Sequence, residues 1–368
     1  VFALEVKAGT VTIGGNTQGH GGNMLGVAAM PAPTSDTATN PVPEDTATDV
    51  VREVVLEWTA GETAVTHDVY LGTVFEDVNM ASRANPMDVL VSQGQSDAAY
   101  DAGVLEFGTT YYWRIDEVNG APDNTIFKGD VWSFTTEPYA YPITDVIATT
   151  NASAADAASG IENIVNGSGL NANNEHSTAA SDMWLGLGGD EPVYVQFEFD
   201  KVRKLHEMWV WNYNVEFELV LGFGLKDVTI EYSADGAEWT VLKDAELARA
   251  PAASGYVANT MVDLEGISAR FVRLTINDNW GALPQYGLSE VRFLYVPVQA
   301  RQPQPADEAT DVVTDAVLSW RAGREATSHE VYLGTDPEAL PLIGTVEQTT
   351  LTPDELTSAR RTTGESTR

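Results

Sequence analysis

The chain has no cysteine among its 368 residues. That excludes disulfides, thiolate zinc sites, iron–sulfur clusters and thiol nucleophiles. Basic residues are scarce as well: 20 Lys and Arg stand against 54 Asp and Glu, a formal charge of −34. Phosphate backbones and anionic lipid surfaces are bound by clustered Lys and Arg. Neither nucleic acid nor membrane insertion is therefore expected. No apolar run approaches the roughly 20 residues that cross a bilayer as a helix. The five histidines are scattered, and no G-x-S-x-G elbow or phosphate-binding loop occurs. His206-Glu207 lacks the H-E-x-x-H spacing of a zinc helix. Gly pairs in 186–190 and 222–224 read as turns. No catalytic site is expected.

What is present is a 43% hydrophobic chain, too apolar for a disordered acidic tail. Its length suits two to four domains. It opens on Val1 with no basic and apolar leader pattern, so it reads as a processed chain or a piece of a longer one.

An internal repeat organises the rest. PVPEDTATDVVREVVLEWTAGETAVTHDVYLGT (41–73) returns as PQPADEATDVVTDAVLSWRAGREATSHEVYLGT (303–335), with about 20 of 33 positions identical. Trp58 pairs with Trp320, His67 with His329 and Tyr70 with Tyr332, which marks both histidines as architecture. Each copy opens Pro-x-Pro and continues as strand, Ala-Gly turn and strand, with Val54, Leu56 and Trp58 sharing one face. In the first copy GTTYYWRIDEV (108–118) and DVWSFTT (130–136) add two aromatic strands. Short strands at this spacing predict a β-sandwich.

LEW, HDVYLGT, TTYYWRIDEVN and VWSFTT, in that order, resemble the fibronectin type III-like modules strung between domains of large secreted bacterial proteins. The resemblance covers 41–138 and implies a spacer or adhesion unit without catalysis. The second copy, 299–368, breaks off before its own aromatic strand and ends SARRTTGESTR (358–368). One choice of synonymous codons for that tail, read two bases later, encodes GTTYYWRVDEV, which differs from 108–118 only by Val for Ile. A frameshift near 355–358 and a truncated module are the expectation. The coding DNA decides, and codons incompatible with that register would sink it.

The central block carries VYVQFEF (193–199), with Val193, Val195, Phe197 and Phe199 on one face. VTIEYSADGAEW (228–239) turns at Asp235-Gly236, a hairpin signal. ARFVRLTI (269–276) and LSEVRF (288–293) follow, and no long helical period intervenes. An antiparallel jelly roll is predicted.

ENIVNGSGL, Trp184, KDVTIEYSADGAEW, ARFVRLTI and LSEVRF together resemble the discoidin (factor V/VIII type C) family, of galactose-binding-like fold. The resemblance implies a jelly roll that binds a glycan with loops at one end. It also implies a structural Ca²⁺ in many members, here through Asn166, where the family often has Asp, and Glu290. Asn166-Gly167 reads equally as a turn. Glycan contact needs an exposed aromatic face with polar groups beside it. The candidates are Asn212, Tyr213 and Asn214, then Asn277, Asn279 and Trp280, and His176. Trp209 and Trp211 read as core. Trp280 serves as loop anchor or satellite core, and His176 reads more simply as a solvated loop residue.

The expected architecture is all-β: a fibronectin III-like β-sandwich (41–138), a discoidin-like jelly roll (139–298) and a truncated fibronectin III-like module (299–368). Residues 1–40 read as the end of an upstream β-domain plus a linker. The expected function is non-catalytic, extracellular or cell-surface glycan or polysaccharide binding, as a monomer or part of a longer chain. The competing expectation is a spacer or scaffold that binds no sugar; an all-polar loop end would favour it.

Overall fold

The computed structural model describes the strands Leu4–Lys7 and Thr10–Ile13 as backbone, and residues 35–122, 124–336 and 338–353. The two N-terminal strands pair antiparallel. The frameshift expected near 355–358 and its tail lie outside the described residues, as do the Gly-rich turns and linker of 14–34. Two compact units form, Val1–Glu137 and Pro138–Arg368. Among the described residues no helix is long and apolar enough to cross a membrane.

In the first unit two sheets face one another. One runs in the order Ala47–Val50, Val131–Thr136, Thr110–Asn119, Ala64–Gly72, Leu90–Gln95; the other joins Thr39–Val42, Glu53–Thr59 and Ala99–Val104. Strict alternation in EVVLEWT puts Val54, Leu56 and Trp58 inward, as period-2 strand geometry requires. They meet Val69, Trp113, Ile115, Trp132 and Phe134 in one core. Arg114 is fully buried, yet its charge is answered by Asp116 at 2.8 Å and by the carbonyls of Asn79 and Ala81, both at 2.8 Å.

The second unit is organised by one long strand, Tyr194–Asn212. Its first half pairs with Ser268–Ile276 and its second half with Gln285–Val296, with a register shift between Glu198 and Arg203. The sequence DKVRKL interrupts the apolar alternation there, so a single strand serves both layers. Asp227–Ser233 continues the first layer and pairs with Thr240–Glu246, while Trp184–Leu187 extends the second. Val195, Phe197, Phe199, Val272, Leu274 and Phe293 fill the space between. Phe293 sits edge-on to both Phe197 and Phe199, at 4.9 and 5.1 Å between centroids. Edge-to-face aromatic pairs of this kind add about 0.5–1.5 kcal/mol beyond area burial.

The same unit carries the second repeat copy as short strands: Arg301–Gln304, Leu318–Arg321, His329–Tyr332, Leu342–Val346 and Thr350–Leu351. Lys204 reaches Glu325 at 2.6 Å and Arg324 donates to the Pro138 carbonyl at 2.7 Å, joining it to the jelly roll.

Candidate functional site

Four loops come together at one end of the jelly roll: 171–178, 213–224, 247–256 and 278–286. Buried polar side chains hold them. Asn212, fully buried, donates to the carbonyls of Leu225 (2.7 Å) and Ala248 (2.9 Å) while its Oδ1 accepts the Tyr213 N–H. Asn214 donates to Ser177 and Ala253, at 3.1 and 2.8 Å. Asn279 donates to Leu283 and Gln285, at 2.7 and 2.8 Å. Asn212 and Asn214 tie segments distant in sequence, Asn279 closes its own loop, and a buried amide so engaged has no donor left for a ligand.

This corrects the sequence expectation for Asn212, Asn214 and Asn279. They position the loops and do not present themselves to a ligand. Tyr213 is buried too, against Phe223. His176 is neither solvated nor a loop-surface donor. It is 1% exposed, with Nδ1 donating to the Ser177 carbonyl at 3.0 Å. Burial pushes its imidazole below the ordinary value, against the opposing pull of the Ser177 and Ser168 carbonyls and of Asp182. Asn277 is exposed and donates to the Thr229 hydroxyl. Trp211 belongs to a small cluster with Tyr256, Ala250 and Ala258, and Trp209 packs on it half-buried.

Trp280 is half-buried, its indole N–H donating to the Leu247 carbonyl at 3.0 Å and Lys226 Nζ lying 5.6 Å from its ring centre. It is thus anchored and partly presented. Beside it runs the short helix Glu218–Leu221. Gly222 closes that helix with φ +68°, a left-handed conformation glycine adopts without strain, and a Cβ on Gly281 would lie 2.3 Å from the Leu221 carbonyl oxygen. Two glycines therefore let the helix and the Trp280 loop touch.

The helix also presents what the sequence reading missed. Phe217 is 69% exposed, Leu219 and Val220 of the helix it opens are exposed too, and so is Leu283 in the 278–286 loop. Beneath them Glu218 is fully buried, accepting the N–H groups of Phe223 (3.1 Å) and Gly224 (2.9 Å), with Arg249 Nε 4.0 Å away. Burial raises the Glu218 carboxyl above the ordinary value, against those two N–H groups and Arg249. The signal lay in VEFELVLGFG: apolar residues without strand alternation, between two alternating strands. A groove of about 700 Å³ opens elsewhere, along Val146, Ile147, Ala148 and Phe199.

Of the two residues expected to hold calcium, Glu290 reaches the loop of Asn166 through the Gly167 N–H. Glu290, 1% exposed, accepts the Gly167 N–H at 3.2 Å, and its carboxyl is pushed up to about 7 by burial, partly offset by Arg292 at 3.3 Å. A buried, incompletely compensated carboxylate beside a loop backbone fits a hard cation that takes carbonyl oxygens. Asn166 fits less well: it is exposed, and its Oδ1 accepts the Ser168 N–H at 2.8 Å, with Gly167 at φ +77°. That is the turn arrangement. Among the described residues no group of three or more His, Asp or Glu could hold a metal by side chains alone.

A jelly roll with a loop crest at one end is the class that the geometry defines. The family model of the F5/8 type C domain matches residues 148–290, so this part of the chain is an F5/8 type C (discoidin) domain. Among solved structures the chain is similar to a family 32 carbohydrate-binding module from a family 31 glycoside hydrolase of Clostridium perfringens, at 18% identity over 43% of this chain and 95% of that one, TM-score 0.32. It is similar to the family 32 module of NanJ from the same organism, solved with galactose, at 12% identity over 42% and 98%, TM-score 0.31. A third is an F5/8 type C domain from Bacteroides fragilis, at 14% identity over 43% and 97%, TM-score 0.33. No curated protein sequence matches the chain.

Proposed function

We propose that residues 139–298 are a non-catalytic glycan-binding module whose contact surface is the crest formed by Phe217 and Trp280. The observation that carries this is the Phe217 ring, 69% exposed at the start of a helix whose base is pinned by Glu218. A rigidly mounted aromatic face suits the C–H surface of a sugar, and it contacts without ordering a long side chain. The discoidin match supports the reading, since the resemblance carries a glycan ligand with it. Ca²⁺ has a structural part in it: Glu290 and backbone carbonyls of the Asn166 loop would hold the ion and so fix that loop. The two repeat copies act as fibronectin III-like spacers on a secreted or surface protein, raising the effective concentration of weak binding units on one chain. The scaffold alternative is better suited by an all-polar loop end, and Phe217, Leu219 and Val220 depart from that.

The test is a glycan array probed with the full chain, with calcium and with chelator, beside Phe217→Ala. Binding by the parent and its loss in the variant is the expected result. A blank from folded parent protein in both conditions would overturn the glycan reading in favour of the scaffold.

A further inference from the structure

An asparagine that precedes glycine can close its side chain onto the next backbone nitrogen, because glycine puts no side chain in the way. The chain contains two such pairs, Asn119-Gly120 and Asn166-Gly167. The fold treats them in opposite ways.

Asn119 ends the strand Thr110–Asn119 and lies opposite Ala64. Its N–H donates to the Thr125 carbonyl at 2.9 Å, and its Oδ1 accepts the Thr63 hydroxyl at 2.8 Å. Folding that side chain back on its own backbone would break these bonds.

Asn166 lies outside any strand, exposed in the turn 165–169 that follows the helical turn Ile161–Ile164. Its Oδ1 accepts the Ser168 N–H at 2.8 Å, a side-chain turn that Asn favours. That bond curls the amide over the Gly167 peptide, so Cγ stands on the side of the Gly167 nitrogen. It also draws electron density from the Cγ carbonyl and stabilises negative charge developing on its oxygen. Gly167 sits at φ +77°, and nothing lies within 4 Å of where a Cβ would be. Its N–H is held by Glu290 at 3.2 Å, the long end of the hydrogen-bond range.

We propose that Asn166 is a site of spontaneous covalent modification, deamidation to aspartate and isoaspartate. The Gly167 nitrogen attacks Asn166 Cγ. The N–Cγ bond forms, the Cγ–Nδ2 bond breaks, and ammonia leaves carrying the proton lost from the Gly167 nitrogen. Water then opens the cyclic imide at either carbonyl. One water is consumed and one ammonia released, with no change of oxidation state. A turn that holds the reacting atoms together favours such an intramolecular step. The product adds a negative charge to the loop, and the isoaspartyl form routes the backbone through an extra methylene. The same turn is tied to the loop 171–178, where the Ser177 N–H donates to the Gly169 carbonyl at 2.9 Å, so the change falls beside the loop end of the jelly roll.

The test incubates the full chain in ¹⁸O-water at mildly alkaline pH, digests it in ordinary water and measures ¹⁸O at residues 119 and 166 by mass spectrometry. Electron-transfer fragmentation separates aspartate from isoaspartate. Synthetic peptides DEVNGAP (116–122) and ENIVNGSGL (162–170) give the rates without the fold. Asn166 in the folded chain should convert within about tenfold of its peptide, and Asn119 should be slower than its own peptide by more than that, as a residue held in a sheet is. Asn166→Gln, whose longer side chain closes a less favourable ring, should take up no label at 166 and melt as the parent does. A folded Asn166 slower than its peptide by more than about tenfold, or an Asn119 within that margin of its own peptide, would each overturn the proposal.

Discussion

The Glu218 carboxylate accepts the Gly224 N–H at 2.9 Å from a position with no solvent exposure, directly under the crest that carries Phe217. This contact closes the loop on itself across six residues and sets where the crest stands. Burial raises the Glu218 carboxyl, so the folded state holds its proton to higher pH than the unfolded chain. Its stabilising contribution is then fully present below the ordinary carboxylate value, about 4.3, and is lost as pH rises through the raised one. Melting of the parent and of Glu218→Gln over pH 3.5–8 should show the parent losing stability relative to the variant as pH rises. Parallel profiles would mean that Glu218 does not titrate in that range.

His176 works in the opposite direction. Its imidazole is depressed by burial, so the unfolded chain takes up the proton first. The stability it contributes is present above the ordinary imidazole value, about 6.5, and falls as pH drops through the depressed one. Imidazole resonances followed by NMR between pH 7 and 4.5 should show His176 titrating below the ordinary imidazole value, about 6.5. Titration at 6.5 or above would contradict its burial as described.

Asn212 closes three hydrogen bonds inside the protein, so Asn212→Ala strands the Leu225 and Ala248 carbonyls. Leaving a buried polar group unsatisfied costs about 1–3 kcal/mol, and a denaturant midpoint measured on the full chain should fall accordingly. Asn166→Ala, at an exposed turn, should stay within about 0.5 kcal/mol. If the two variants were equally stable, Asn212 would not be the support of the loops.

These asparagines show where sequence reasoning stops. The strands were legible because alternation in VYVQFEF and EVVLEWT reports burial directly, and Val195, Phe197, Leu56 and Trp58 are indeed inward. That 194–199 and 209–212 belong to one strand was not legible, since DKVRKL hides the continuity. For the site, an Asn in a loop reads the same whether its amide faces solvent or a carbonyl. Asn214 turns inward only because the Ser177 and Ala253 carbonyls arrive from 37 and 39 residues away. Phe217 was passed over because VEFELVLGFG has neither strand nor long-helix periodicity, and its exposure follows from a four-residue helix fixed by the buried Glu218.

Calcium gives a prediction with a thermodynamic size. A cation that binds only the folded jelly roll stabilises it by about 2.7 kcal/mol at a hundredfold excess over its dissociation constant. Added Ca²⁺ should therefore raise the melting temperature of the parent chain, and chelator should reverse the rise. Glu290→Gln removes the charged donor and should abolish the shift while the protein still folds. A calcium effect that survives in Glu290→Gln would place the ion elsewhere, and no effect in the parent would leave Glu290 as a partner of Arg292 and Gly167 alone.

Phe217 and Trp280 should separate binding from stability. The Phe217 ring stands in solvent, so Phe217→Ala removes contact surface and little packing, and melting should move by less than about 0.5 kcal/mol equivalent. Trp280 is half-buried and its indole N–H holds the Leu247 carbonyl. Trp280→Ala should lower both glycan binding and stability, the latter by about 1–3 kcal/mol for the carbonyl left unpaired. A titration of each variant against the strongest array ligand, read beside its melting curve, tests the division. Loss of binding in Phe217→Ala at unchanged stability identifies the crest as the contact surface. Retention of binding there, with loss only in Trp280→Ala, would move the contact to the Trp280 loop and make the apolar crest a surface for something other than sugar.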